Sequence, residues 1–397
     1  MIPRLKPYFN NKELGAVFSK ERDPVGSFEK KFAAKFKAKY AVAFLYGRSG
    51  LYALLKCLGL RDSEVIMPAY TCVVVPNAVV FSDNTPRFVD VGLDNYNMDL
   101  DLLEKAIGGR TGAIIGTSLF GYPYDADRLK EIIKRSGRKI LLIQDCAHSF
   151  GAEYKGEPLC NMGDAALFAF SLNKQISAVY GGMITTNSEE IYIKLKRYRE
   201  ENFKEPSRAE NLKMLSLLIA AYAAFFDPFY GFVDFLERRT KVLDGVVKYY
   251  NEEVIDMPED FMVKLPRVNA RIGSIQIDKY DEIVKRRREI AEFYNKALKP
   301  LIYITPPHLI EGATYLYCAA MVDKREDFIE YMRNGGIQIG RYLEYAIPYM
   351  KAYKKYKNGD YPNAYLCGRN IVNLPCYYSL SDAGLQKIAK RASNYLA

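Results

Sequence analysis

Three separated stretches of this chain carry side chains that could act together on one small molecule. In "KILLIQDCAHSFGA", residues 139–152, an apolar run ends in Asp145, followed three residues later by His148, one of only two histidines. In "ALFAFSLNKQISAVYGGMITT", Lys174 stands between an apolar run and the glycine pair Gly181 and Gly182. A lysine at a pocket mouth is partly desolvated, which lowers its pKa and frees an amine for imine chemistry with a carbonyl. In "YGRSGLYALL", Gly47, Arg48, Ser49 and Gly50 form a turn that opens a helix. Backbone N–H groups, a hydroxyl and a guanidinium at such a turn suit a phosphate. Amine, acid and phosphate cradle are the three requirements of pyridoxal phosphate: an imine to lysine, an acid that keeps the pyridine nitrogen protonated, and a helix N-terminus for the phosphate. Taken singly, Asp145 reads as a helix cap, Lys174 as a solvated charge, His148 as a satisfied core histidine and "GRSG" as an ordinary turn. The combination points to chemistry.

The elements that must position these residues alternate. From about residue 40, short apolar runs ("YAVAFLYG", "EVIMPAYT", "PRFVDV", "TGAIIGTSLFG") are interleaved with helical segments such as "LYALLKCLGL", "DLDLLEKAIGG" and "YDADRLKEIIKRSG". This alternation predicts an α/β fold: a mostly parallel central sheet with helices on both faces. Ligands in such sheets sit beyond the carboxyl ends of the strands, where Asp145 falls. From about residue 290 the mixture of strands and helices changes ("ATYLYCAAMV", "EDFIEYMRNGG"), predicting a smaller C-terminal α+β domain. The expected division is a large domain over 1–285 and a small one over 286–397. Residues 212–241, "LKMLSLLIAAYAAFFDPFYGFVDFLERRTK", form an apolar segment flanked by Lys204, Arg208, Lys213, Arg238, Arg239 and Lys241. Its unbroken apolar part is too short to span a bilayer, and suits a buried helix, a subunit interface, a re-entrant hairpin or a peripheral contact with an anionic membrane.

Composition limits the classes of function. The 397 residues carry a net charge of +10, which favours anionic partners, yet basic residues are spread along the chain and no nucleic-acid arm is expected. The 7 cysteines contain no CxxC pair, and with the polar start "MIPRLKPYFNN" they predict a cytoplasmic protein without a disulfide framework. Neither His148 nor His308 has a second histidine at ligand spacing, so no metal site is expected.

The residues above sit within longer stretches, in the order "IPRLKPYF", "EVIMPAYTCVVVPNAVVFSDNTPRFVDV", "LFGYPYDADRL", "IQDCAHSFGAEYKG", "NMGDAALFAFSLNKQISAVYGGMITTN", "IQIDKYDEIVKRRREIAEFYNKAL" and "RNIVNLPCYYSLSDAGLQKI". Over nearly its whole length the chain thereby resembles the DegT/DnrJ/EryC1/StrS sugar aminotransferases, pyridoxal phosphate enzymes of fold type I. The resemblance implies a homodimer that moves an amino group from an amino acid, glutamate in this family, to a nucleotide- or lipid-linked keto sugar in glycan or cell-envelope biosynthesis. It implies that Lys174 binds the cofactor and shuttles the proton, that Asp145 pairs with the pyridinium, and that His148 hydrogen-bonds the phenolic oxygen. Gly47, Arg48 and Ser49 would bind the phosphate, with Arg48 where the family has a threonine. Ala169 replaces a serine common in the family, leaving Ser171 as the phosphate hydroxyl. Cys72 stands where an aromatic usually stacks on the ring, "DFMVKLPRVNARIG" offers no clear match for a family asparagine, and "IGRYLEYAIPYM" replaces a histidine-containing loop. The alternatives are a pyridoxal phosphate enzyme acting on a non-sugar ketone, a sugar dehydratase, in which histidine replaces the lysine, or a non-catalytic membrane-associated binding protein.

Overall fold

The computed structural model describes residues 1–225, 230 and 251–395. Its first layer is a seven-stranded sheet built from β1 (Tyr40–Phe44), β2 (Glu64–Pro68), β3 (Thr85–Val89), β4 (Thr111–Thr117) and β5 (Leu141–Asp145). After a small hairpin, β6 (Glu153–Tyr154) and β7 (Glu157–Pro158), it is completed by β8 (Ala165–Ala169) and β9 (Gly182–Thr186). The order across the sheet is β1-β9-β8-β5-β4-β2-β3, and only β9 runs against its neighbours. Strands this deeply buried on both faces need uninterrupted apolar residues, as Val65, Ile66, Met67, Ile114, Ile115 and Ile143 provide. The register aligns Asp145 with Thr117 of β4 and Leu167 of β8, so that acid lies at the common carboxyl edge of three central strands.

A second sheet, antiparallel in the order β10-β11-β12, is formed by β10 (Ile304–Thr305), β11 (Cys318–Val322) and β12 (Ile371–Leu374). With the helices Arg325–Asn334, Pro362–Asn370 and Asp382–Ser393 it makes the smaller α+β unit expected of the C-terminal part. The 32-residue helix Arg267–Leu298 passes through the 285/286 position without interruption. Its apolar face, including Ile272, Ile277, Ile283, Ile290 and Leu298, is buried, and the Tyr294 hydroxyl donates to the Pro375 carbonyl at 2.9 Å. Near its middle, Lys279 makes an ion pair with the fully buried Glu13.

The first half of the apolar segment 212–241 lies in the helix Arg208–Ala224, started by a capping box between Ser207 and Glu210. Met214 and Leu218 pack against Val179, Val268 and Ile272, Ala221 is buried on the same helix, and Leu212 and Ile219 are 67% and 56% exposed. Residues 226–229 and 231–241 of that segment lie outside the described residues. Among the described residues, no helix is long and apolar enough to cross a membrane.

Candidate active site

The anion cradle is the N-terminus of the helix Gly47–Cys57. Its N-cap, Tyr46, is extended and offers no side-chain cap, so the first backbone N–H groups keep their donor capacity and the positive end of the helix dipole. Ser49, fully buried, presents an Oγ with no hydrogen-bond partner among the described residues. A buried hydroxyl left unpaired is costly, and an anion there would remove that cost. Glycine at 47 and 182 lets this helix end ride on the sheet. A Cβ on Gly47 would lie 3.0 Å from the Phe168 carbonyl oxygen, and one on Gly182 would collide with Gly47 N and the Tyr46 carbonyl. Gly182→Ala is therefore expected to destabilise the protein by about 1–3 kcal/mol, because the obstacle is backbone and cannot rotate away. Calorimetry should show a melting temperature lower by several degrees; an unchanged value would contradict the close approach. Arg48 is half-buried, its guanidinium 5.8 Å from the Tyr46 ring centre, and the Tyr46 hydroxyl donates to Asp260 at 2.8 Å.

The turn after β5 carries Asp145 and His148, each only 4% exposed. Asp145 Oδ1 accepts a hydrogen bond from Ala147 N at 3.0 Å. Burial raises its carboxyl pKa, and the nearby Lys174 acts in the opposite direction. Such a carboxylate favours a cationic partner, which a protonated ring nitrogen would be. His148 Nδ1 accepts from Phe120 N at 3.3 Å, a donor aimed by the turn after β4, where Phe120 takes a φ of 56°. This bond sets the tautomer: with Nδ1 accepting, the ring proton is on Nε2 and remains available to a ligand. Burial, with the Lys174 charge, keeps the imidazole neutral, its pKa well below the usual value.

Lys174 lies in the loop between β8 and β9, 8% exposed, with its backbone N donating to Ser171 O at 2.9 Å. Burial lowers its pKa to about 8, against smaller opposing effects of Cys72 and Asp145. Below pH 8 the side chain is mostly ammonium and must lose a proton before attacking a carbonyl; above it the amine is ready. Cofactor uptake by the cofactor-free protein is therefore expected to accelerate about tenfold per pH unit up to about 8 and then level off. Stopped-flow absorbance across this range checks it; a rate still rising at pH 10 would mean an unperturbed lysine. Ser171 Oγ donates to Asn173 Oδ1 at 2.6 Å, and Asn173 Nδ2 donates to the Tyr317 hydroxyl at 2.8 Å.

The structure thus brings Asp145 and His148 within electrostatic reach of Lys174, with the Gly47–Ser49 turn at the adjoining end of β8. It also supplies residues that the sequence did not single out. Asn269, in the first turn of the long helix and fully buried, donates to the carbonyls of Ala178 and Tyr180 at 2.8 and 3.0 Å and anchors the loop that follows Lys174. This asparagine belongs to the stretch that had offered no clear match. Tyr317 and Tyr342, from the small unit, face His148 with ring centres 5.7 and 5.3 Å away. Among the described residues no group of side chains is arranged to hold a metal ion.

Comparison with known proteins agrees with this geometry. The sequence matches the DegT/DnrJ/EryC1/StrS aminotransferase family over residues 15–222 and 238–392. The chain belongs to this family. It is accordingly an aminotransferase, and its cofactor is pyridoxal 5'-phosphate. The residues present fit that group: an uncapped helix end with an orphaned buried hydroxyl for phosphate, a buried carboxylate, a neutral imidazole with a free N–H, and an amine of depressed pKa. Among relatives, the chain is 26% identical over 393 residues to the GDP-perosamine synthase of Escherichia coli O157:H7, spanning 96% of this chain and 94% of that protein. It is 28% identical over 379 residues to the dTDP-3-amino-3,6-dideoxy-alpha-D-galactopyranose transaminase of Aneurinibacillus thermoaerophilus, spanning 94% and 90%. The fold is shared with PseC of Helicobacter pylori, an aminotransferase of pseudoaminic acid biosynthesis, at a TM-score of 0.78 and 20% identity over 99% of this chain and 98% of that one.

Proposed function

We propose that this aminotransferase moves the amino group of L-glutamate onto the ketone of a carrier-linked sugar in glycan or cell-envelope biosynthesis. The observation that carries the proposal is the buried amine of Lys174, with a pKa of about 8, beside Asp145 and His148 at the carboxyl edge of the sheet. The relatives named for perosamine and aminodideoxygalactose synthesis support a sugar acceptor. A cleft beside the lysine, lined by Lys6, Tyr8, Asn173, Arg287 and Tyr378, supports an anionic carrier.

In this reading the bound cofactor supplies the electron sink. Lys174 Nζ would hold the cofactor and, once released, would take a proton from the donor carbon in one half-reaction and give one to the acceptor carbon in the other. Asp145 would keep the ring nitrogen protonated, His148 Nε2 would donate to the phenolic oxygen, and the Gly47–Ser49 turn would hold the phosphate, joined by Ser171 once its hydroxyl turns from Asn173 Oδ1. The balance is that of amino transfer: the donor leaves as a 2-oxo acid and the acceptor ketone becomes an amine. Lys174, where a dehydratase would have histidine, favours transfer over dehydration.

We further infer a homodimer acting in the cytoplasm and touching an anionic membrane through the segment around 212–241. The exposed Leu212 and Ile219, close to Arg208 and Lys213, support such a peripheral contact. The test of function is mass spectrometry of reactions containing L-glutamate and a panel of nucleotide-linked keto sugars. Conversion of one ketone to its amine, with release of 2-oxoglutarate, is expected. A glutamate half-reaction that proceeds while every sugar is refused would move the acceptor to a non-sugar ketone.

A further inference from the structure

The side chain after Thr71 is where this family usually places an aromatic against the cofactor ring, and here it is Cys72. The loop following β11 and its helix reaches that spot from the small unit. Ile347 N donates to the Ala69 carbonyl at 3.0 Å, Val73 N donates to the Tyr345 hydroxyl at 3.1 Å, and the Tyr342 hydroxyl donates to Cys72 Sγ at 3.9 Å. Residues 342–347 are thus laced onto residues 69–73 at three points.

The backbone of Tyr342 is fixed as firmly. Gly340 and Asn373 exchange hydrogen bonds, Gly340 N to Asn373 O at 2.9 Å and Asn373 N to Gly340 O at 2.8 Å, and Asn373 Oδ1 accepts from Tyr342 N at 2.7 Å. Leu343 then takes a φ of 60°, a left-handed conformation that a branched side chain adopts only where its surroundings demand it. The Tyr342 ring so placed is stacked on Tyr317, with centroids 4.9 Å apart and planes at 27°. It lies 5.3 Å from the His148 ring and 5.8 Å from Lys174 Nζ. Tyr317 is tied in turn to Asn173, the residue before Lys174.

We propose that Tyr342 supplies the aromatic face on which the cofactor ring rests, in place of the side chain at position 72. The small sulfur at Cys72 suits this arrangement: the tyrosine hydroxyl lies 3.9 Å from Sγ, so a ring at 72 directed the same way would meet it. Cofactor retention in this chain consequently depends on the docking of the small unit against the large one. This inference rests on the placement of the cofactor between Lys174 and Asp145.

The test uses the full-length protein and four variants: Tyr342→Phe, Tyr342→Ala, Cys72→Phe and the double variant Tyr342→Ala/Cys72→Phe. Three quantities are read: the Kd for pyridoxal phosphate, the visible circular dichroism of the bound cofactor, and the melting temperature without cofactor. Tyr342→Phe should stay within about twofold of the parent, while Tyr342→Ala should bind about tenfold more weakly with diminished visible dichroism. Cys72→Phe should also weaken binding, by collision, and the double variant should regain most of the affinity lost in each single one, a strongly non-additive pattern. Unchanged affinity and dichroism in Tyr342→Ala would overturn the proposal, as would tighter binding, which would mean that the ring stands in the cofactor's place. A fall in melting temperature and affinity that the double variant does not recover would also overturn it, leaving Tyr342 a structural role. If the parent itself gave no visible band dependent on Lys174, the placement of the cofactor would have failed, a result separable from failure at Tyr342 alone.

Discussion

Lys174→Ala is expected to lower amino transfer by about 10^4-fold, the largest loss of any single substitution. Two functions end together. The buried amine that would hold the cofactor is removed, and so is the base that would take a proton from the donor carbon in one half-reaction and return one to the acceptor carbon in the other. The pocket cannot readily recruit a substitute base: His148 Nδ1 is occupied by Phe120 N, and the Asp145 carboxylate is needed at the ring nitrogen. The variant should still fold, because the bond from Lys174 N to the Ser171 carbonyl is made by the main chain and is kept. Steady-state assays with circular dichroism of the backbone check both halves. A variant with more than a hundredth of the parent rate would mean that another residue carries the proton.

Asp145→Asn is expected to cost about 10^2- to 10^3-fold in turnover, with cofactor binding largely retained. The amide has nearly the shape of the acid and can still accept from Ala147 N, so the loss is electrostatic. A neutral amide gives no counter-charge to a protonated ring nitrogen, and the electron sink is weakened when charge develops. A second effect has a definite sign. Because the Asp145 charge raises the Lys174 pKa, its removal should move the lysine further below about 8, shifting the pH midpoint of cofactor uptake downward. Unchanged turnover, or an upward shift of that midpoint, would separate Asp145 from the ring nitrogen.

Much of this site was legible in the sequence because its parts sit at element ends that local pattern can locate. The apolar run to Ile143 marks a buried strand, and the residue that breaks it, Asp145, must lie at the sheet edge. Gly47 opening a helix and Lys174 in the loop before Gly182 follow from the same punctuation. The α/β architecture is legible for the same reason, since strand and helix alternate without a long interruption. What stayed hidden depends on contacts between residues far apart in the chain. Tyr342 reaches Cys72 through a clamp on Asn373, and Asn269 reaches the carbonyls of Ala178 and Tyr180 across about ninety residues. Hydrophobic periodicity reports which face of an element is buried and carries no record of which remote loop covers it. The segment around 212–241 illustrates the same limit: its apolarity was plain, whereas only the packing shows that Met214, Leu218 and Ala221 turn inward and Leu212 and Ile219 outward.

The most direct test of the central claim is to load the protein with pyridoxal phosphate, fix the cofactor to its lysine with borohydride, and map the modified peptide by mass spectrometry. Modification is expected at Lys174 alone, at one cofactor per chain, and should be absent from Lys174→Ala. Label on another lysine, or none after full incubation, would contradict the assignment of this pocket as the catalytic centre.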